Sequence, residues 1–301
     1  MHGHIKNMTE IKNAAFIKTN LACNVLGFIN HILPLRLKFL SETFVALEDG
    51  VPKGFITLEK DSKSLTRFKI TALVLEEYSL GYQLANYVIT RYHGMGADYF
   101  YVVADEKQAD LINIFKNELS FRLCGYEYLY KINPMDLNYT RFLKNLKKEN
   151  INDVCKFYNE SISSYNRFLF SRQNYQFQNG CAQYIFYDEA SMKVLGYFEV
   201  ASKNNVDFYI NFVIDIAYNT YILDAIKFIY SEIQRKTKNF NLYIKVKDYF
   251  LNSKELIAIL NENKTEFISK SQILAKDYYR HIKQDNLLKN VKIFFNDPTI
   301  A

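Results

Sequence analysis

Apolar positions along the chain alternate between two rhythms, and the alternation runs through the same order twice. The first set opens at Phe44-Val45-Ala46-Leu47, turns at Asp49-Gly50, and returns through Gly54-Phe55-Ile56-Thr57-Leu58-Glu59. Two β-rich runs around an aspartate-glycine pair predict a hairpin. Residues 67–75 then read as a buried strand. Leu80, Leu84, Val88 and Tyr92 recur at helical spacing. A short strand follows from Tyr99 to Ala104, then a second helix over about 106–118, and an aromatic-rich extended segment from Phe121 to Ile132 closes the set.

The second set begins at Tyr184-Ile185-Phe186-Tyr187 and turns between Asp188 and Lys193. It returns through Gly196-Tyr197-Phe198-Glu199-Val200, so Gly54 and Gly196 occupy the same place after each turn. A strand over 206–214, a helix carrying Ile222, Ile226, Ile229 and Ile233, a strand from Asn241 to Val246, a helix over 252–263 and an extended segment from Phe267 to Ile282 complete it. Recurrence at a near-constant offset is the mark of an internal repeat. The alternative is two unrelated pieces that share a common element order.

Each half therefore predicts an α/β (α+β) unit. A strand–helix–strand passage needs a parallel crossover, so each sheet is expected to be mixed but mostly antiparallel, with flanking helices. The boundary is placed at Pro134, where a fresh β-run from Tyr139 to Leu146 begins just beyond, near the charged residues Lys144, Lys147, Lys148 and Glu149. This gives units of 1–133 and 134–301. Residues 21–40 read as a helix that includes His31.

Composition narrows the classes. The chain has 301 residues, 49% hydrophobic and 23% charged, with 10 Gly and 4 Pro, which is too apolar for disorder. The net charge of +6 is not gathered into the basic stripe that a phosphate backbone requires, so no nucleic-acid partner is expected. No stretch is long and apolar enough to predict a membrane span. Cys23, Cys124, Cys155 and Cys181 lack C-x-x-C spacing, and the polar start lacks an export leader. Both readings lead to an expectation of a cytoplasmic protein. His2 and His4 are the one pair spaced to hold a metal, and a frayed terminus accounts for them as well; no metal site is expected. No Walker loop, H-E-x-x-H or G-x-S-x-G occurs.

The order of elements, together with Phe44 to Gly50 followed by Gly54-Phe55, Lys69 to Leu75, and Leu119-Ser120-Phe121, resembles the GCN5-related N-acetyltransferase (GNAT) superfamily in its tandem form. The likeness is clearest over 42–132; the second half follows in order but hardly in motif. The resemblance implies an acyl-CoA-dependent N-acyltransferase with acetyl-CoA or another acyl-CoA as co-substrate. The acceptor would be a small-molecule or protein amine.

In such a site, the loop after the fourth family strand and the helix behind it hold the pyrophosphate with backbone N–H groups and the positive end of the helix dipole. Carried over, this implies Leu73, Val74, Leu75, Ser79, Leu80, Gly81 and Tyr82 as the acyl-CoA-binding segment, with Ser79 and Gly81 at the two small positions. An alternative register takes Gly81 as the first glycine and Gln83 as the second small position; the first keeps the helical face and small residues at both sites. The family's basic loop residue is replaced by Glu76, with Glu77 beside it. Thr71 stands where many relatives have glutamate, and Phe115 where many have a tyrosine acid.

Glu59 and Glu127 are the candidate general bases, each equally readable as a solvated strand residue. Asp207 and Asp215 are further carboxylates of the second half, and His31 is a candidate on the acceptor side. The second loop, Asp215 to Tyr221, has no glycine and no basic residue, and Tyr218 and Tyr221 are bulky, so acyl-CoA is not expected there. A second function stays open: a catalytically decayed GNAT-like binding or scaffolding protein.

Overall fold

The structure is a computed structural model that describes residues 41–48, 51–60, 66–133, 142–177, 182–202, 204–263 and 265–278. The predicted helix over 21–40 with His31, the pair His2 and His4, Cys23 and Cys181, and the Asp49-Gly50 turn lie outside them. The strands are β1 (Ser41–Glu48), β2 (Val51–Lys60), β3 (Arg67–Leu75), β4 (Tyr99–Asp105), β5 (Arg122–Ile132), β6 (Leu143–Asn145), β7 (Ala182–Asp188), β8 (Lys193–Ser202), β9 (Asp207–Ile214), β10 (Asn241–Lys247) and β11 (Glu266–Asp277). The helices are α1 (Tyr78–Gly94), α2 (Ala109–Asn113, continued by a π turn over Ile114–Glu118), α3 (Ile151–Glu160), α4 (Ser164–Phe170), α5 (Ile222–Gln234) and α6 (Ser253–Glu262).

Two strings, β1-β2-β3-α1-β4-α2-β5 and β7-β8-β9-α5-β10-α6-β11, repeat one another, which is the order the sequence predicts. The two expected sheets are joined. The strands of the described residues form one 11-stranded sheet in the order β1-β2-β3-β4-β11-β5-β10-β9-β8-β7-β6. The last strand of each half crosses over. β11 lies between β4 and β5, antiparallel to both, and β5 lies between β11 and β10. Each half's sheet is thus completed by the other.

Strand side chains alternate between the two faces, and the burial pattern follows. On one face Phe68, Ile70, Phe100 and Val102 meet the buried stripe of α1, Leu84, Ala85, Val88, Ile89 and Tyr92. On the same face of the second half, Ile210, Phe212, Leu242 and Ile244 meet Ile222, Ile226 and Ile229 of α5. The opposite face is covered over the second half by α3, through Val154 and Tyr158 against Tyr197, Val213 and Ile273. Burying each of these large side chains contributes about 1.5–3 kcal/mol.

Gly125 is a strand position that a side chain could hardly occupy, as is Gly54, where a Cβ would lie 2.8 Å from Val74 O. The φ of Gly125 is +158°, and a Cβ there would lie 2.4 Å from Asp248 Oδ1. That oxygen accepts the Tyr126 N–H at 2.7 Å, at a register shift between β5 and β11.

Candidate active site

β3 and β4 run parallel, but only Arg67 to Ile70 pair, against Tyr99 to Val102. β3 continues to Leu75 on β2 and β4 continues to Asp105 on β11, so the two strands part beyond Ile70 and Val102. From Thr71 onward β3 also loses its in–out burial pattern. The facing edges of Thr71–Leu75 and Val103–Asp105 leave room for an extended chain between them, with backbone groups to pair against it.

At the open end of this fork stands the N-terminus of α1. Glu77 is its N-cap residue and supplies no side-chain cap. The leading amides, those of Tyr78 and Ser79, therefore have no intrahelical or capping acceptor. Two nearby amides are taken: Glu76 N–H bonds Lys53 O at 2.9 Å, and Leu80 N–H bonds Glu77 O at 3.2 Å. Glu76 turns outward and pairs with Lys53 at 2.7 Å. Val74, Tyr78 and Tyr82 are exposed apolar side chains along this segment.

Gly81 is buried instead. A Cβ on it would come 2.5 Å from Ile114 Cδ1 and 2.6 Å from Leu75 Cδ1. Its missing side chain lets α1 close onto α2 and the end of β3; the exposed amides lie one turn earlier. Phe115 is fully buried against Phe121, and Thr71 is exposed, with its hydroxyl 3.4 Å from Thr57 O.

On the face opposite α1 lies a cavity of about 490 Å³ that spans both halves. Lys69, Tyr101 and Val103 bring it to the crotch of the fork. Glu59 of β2 and Glu127 of β5, the two candidate bases, both line it, joined by Glu199 of β8. Lys60, Arg67, Lys69, Arg172, Lys245 and Lys247 are its cations. Asp207 and Asp215 are not on its wall. Asp207 bonds Asn204 and Asn241, both at 2.8 Å.

Glu127 is nearly buried and its carboxylate meets Lys245 at 2.8 Å. Burial pushes its pKa up, but Lys247, Lys245 and Lys69 outweigh that and hold it below the ordinary carboxylate range. Burial pulls Lys69 down, and Lys245 and Lys247 add to it against the attraction of Glu59. Arg172 pairs with Glu199 at 3.0 Å, between the rings of Tyr158 and Phe177. The Tyr99 hydroxyl is buried with no hydrogen-bond partner among the described residues.

Sequence reasoning passed over Lys69, Lys245, Lys247, Arg172, Glu199 and Tyr99. A partial signal existed: lysines at every second position of otherwise apolar strands, as in Phe68-Lys69-Ile70 and Ile244-Lys245-Val246-Lys247, mark one polar face on each strand, while the meeting of those faces at one cavity is set by the sheet.

The second half has its own fork, since β9 and β10 pair only from Asp207 to Asn211. Its loop is internally satisfied. Asp215 accepts the Ala217 N–H at 2.9 Å, and Asn252 bonds Ile214 O and Asn219 Oδ1, each at 2.7 Å. Tyr218 and Tyr221 pack on Phe186. Among the described residues no helix is long and apolar enough to cross a membrane, and no group of three or more His, Cys, Asp or Glu is placed to hold a metal ion.

No family model matches the sequence, and no curated protein matches it. Solved structures do. A GCN5-related N-acetyltransferase from Sphaerobacter thermophilus aligns with a TM-score of 0.55 at 9% identity, over 85% of this chain and 86% of its own. A tandem GNAT protein from the clavulanic acid biosynthesis pathway aligns at 0.51 and 10% identity, over 79% and 82%. A functionally unknown conserved protein from Staphylococcus epidermidis aligns at 0.52 and 12% identity, over 78% and 94%. At such identities the likeness is one of fold, and the fold is that of the GNAT acetyltransferases, repeated along one chain.

Proposed function

We propose that this protein is an acyl-CoA-dependent N-acyltransferase that works in the cytoplasm and uses the fork of its first half. The observation that carries the reading is the parting of β3 from β4 beside an uncapped helix N-terminus, with a cavity at the crotch. The second fork lacks this combination, because Asp215 already fills the amide position there. Residues Leu73 to Leu75 offer the strand edge, Ser79 with Tyr78 the free amides, and Leu80, Gly81 and Tyr82 complete the turn that would hold an acyl-CoA. That co-substrate supplies an activated thioester carbonyl.

Glu127 is held ionised and Glu59 lies on the same wall, so either can take the proton of an attacking amine, directly or through water. Tyr101 and Val103 line the crotch. Phe115 carries no exchangeable proton and is sealed in the core, so thiolate protonation falls to solvent. That same observation favours a second reading, a GNAT-like binding protein whose chemistry has decayed.

Isothermal titration at low salt with acetyl-CoA and with CoA, beside thiol release across an amine panel, separates the readings. Micromolar binding with turnover that falls in Glu127→Gln or Glu59→Gln supports the enzyme. Binding without turnover supports the second reading. No binding at about 1 mM overturns both uses of the fork.

A further inference from the structure

The cavity's charge is unusual for a pocket that would receive an amine. A cationic substrate is best met by surplus carboxylate, yet here six cations face three carboxylates among the lining residues. The three carboxylates are largely committed. Glu199 is held by Arg172 at 3.0 Å, and Glu127 by Lys245 at 2.8 Å. Glu127 is also the direct cross-strand neighbour of Lys247, so one carboxylate serves two lysines. Glu59 faces Lys69 across β2 and β3. Lys60 is met from outside by Glu42 at 3.1 Å.

What remains is a surplus of donors. The ammonium groups of Lys69 and Lys247 make no hydrogen bond or ion pair with the described residues; Lys247 only overlies the Tyr249 ring at 5.9 Å. Lys245 and Lys247 are near enough to disfavour the charge of Lys69. Like charges gathered in a partly desolvated cavity oppose folding, and an anion placed among them relieves the cost. A second, independent feature points the same way. Tyr99, only 4% exposed, brings a buried hydroxyl to the cavity wall with no partner among the described residues. A buried hydroxyl donor left without an acceptor suits the oxygens of a phosphate or carboxylate.

We infer that the acceptor of this site is an anionic amine, carrying a phosphate or carboxylate that Lys69 and Lys247 hold across the cavity floor. The volume of about 490 Å³ admits a small metabolite of that kind and not a folded protein surface. The binding claim stands on the cavity alone; only the fate of the bound amine rests on the acyltransferase reading.

The test uses the full chain and three probes at low salt: O-phosphoethanolamine, β-alanine and ethanolamine. Affinity is measured by titration calorimetry in the parent protein and in Lys247→Gln and Lys69→Gln, each first checked for native circular dichroism. The expected result is that one or both anionic probes bind at least tenfold more tightly than ethanolamine, and that each variant weakens that binding at least tenfold. The phosphate and carboxylate arms then say which group the cavity prefers. Equal affinity for ethanolamine, no binding of any probe, or anion binding untouched in both variants overturns the inference. Thiol release from acetyl-CoA is recorded separately. Anion binding without thiol release sinks the acyltransferase reading and leaves this one standing, whereas turnover of neutral amines alone does the reverse.

Discussion

Replacing Gly125 with alanine should unsettle both the fold and the cavity wall. The new Cβ would fall 2.4 Å from Asp248 Oδ1, and 3.5 Å from its Cγ. An ordinary contact would need the carboxylate to retreat by roughly 1 Å. Oδ1 accepts the Tyr126 N–H at 2.7 Å, so that retreat breaks a bond to a charged group, worth about 1.5–3 kcal/mol. The backbone at φ +158° adds about 1–3 kcal/mol for a residue with a side chain. The expected loss is about 2.5–6 kcal/mol. The chain has 24 Tyr and no Trp, so tyrosine fluorescence in urea is the natural readout. At a slope of about 3 kcal/mol/M the midpoint should fall by about 1 M or more. Gly94→Ala is the control: it ends α1 and a Cβ there meets nothing within 4 Å, so its midpoint should hold or rise. A Gly125→Ala midpoint within about 0.2 M of the parent would refute the reasoning about Asp248.

Three further outcomes follow from the cavity and the fork. Glu127→Gln should lower stability at neutral pH by about 3 kcal/mol, because it leaves the buried lysines without their counter-charge. Since the folded carboxyl titrates below its ordinary 4.5, its contribution is complete above about that pH and is lost as pH falls further. The gap between parent and variant, followed by urea midpoints from pH 7 to 3, should therefore close in acid; a constant gap would contradict it. Lys69→Met should raise neutral-pH stability, by about 1 kcal/mol or more, because its ammonium is disfavoured in the folded state. That gain should fade as pH climbs toward 10.5, where the unfolded lysine also discharges; a neutral-pH loss would count against the placement of the three lysines. Glu76→Gln should tighten acetyl-CoA binding about two- to fivefold at low salt and less at high salt. Its carboxylate is exposed and already offset by Lys53, which keeps the effect small; unchanged calorimetric affinity would place the pyrophosphate elsewhere.

Much of the architecture was legible because it is written in local periods. Phe44 to Glu59 alternates as a hairpin must, and Leu84, Val88 and Tyr92 return at helical spacing because they share one packed stripe of α1. The exchange of β5 and β11 was not legible. Strand pairing leaves no mark on the residues between the partners, and either arrangement buries the same alternating faces. The candidate site was half legible. Glu59 and Glu127 stood out by residue type, and the structure sets both on one cavity. Gly81 stood out as well, but its environment of Leu75 and Ile114 explains it by helix packing. Lys69, Lys247 and Tyr99 gain meaning only when strands from both halves lie side by side, which no window of sequence displays.

The reciprocal placement of β5 and β11 makes the order of synthesis matter. When β4 and β5 have left the ribosome, the strand that belongs between them is still untranslated, so the nascent first half carries two open edges. It cannot mature as an independent foldon. Glu127, for instance, waits for Lys247 and Ser271, its neighbours on either side. Such high contact order should make folding slow and dependent on β11 having been made. A cavity walled by β2, β3 and β4 from one half and β8, β9 and β10 from the other then comes into being only once both sets of strands exist, so a translation product cut short before β10 would be inert from the outset.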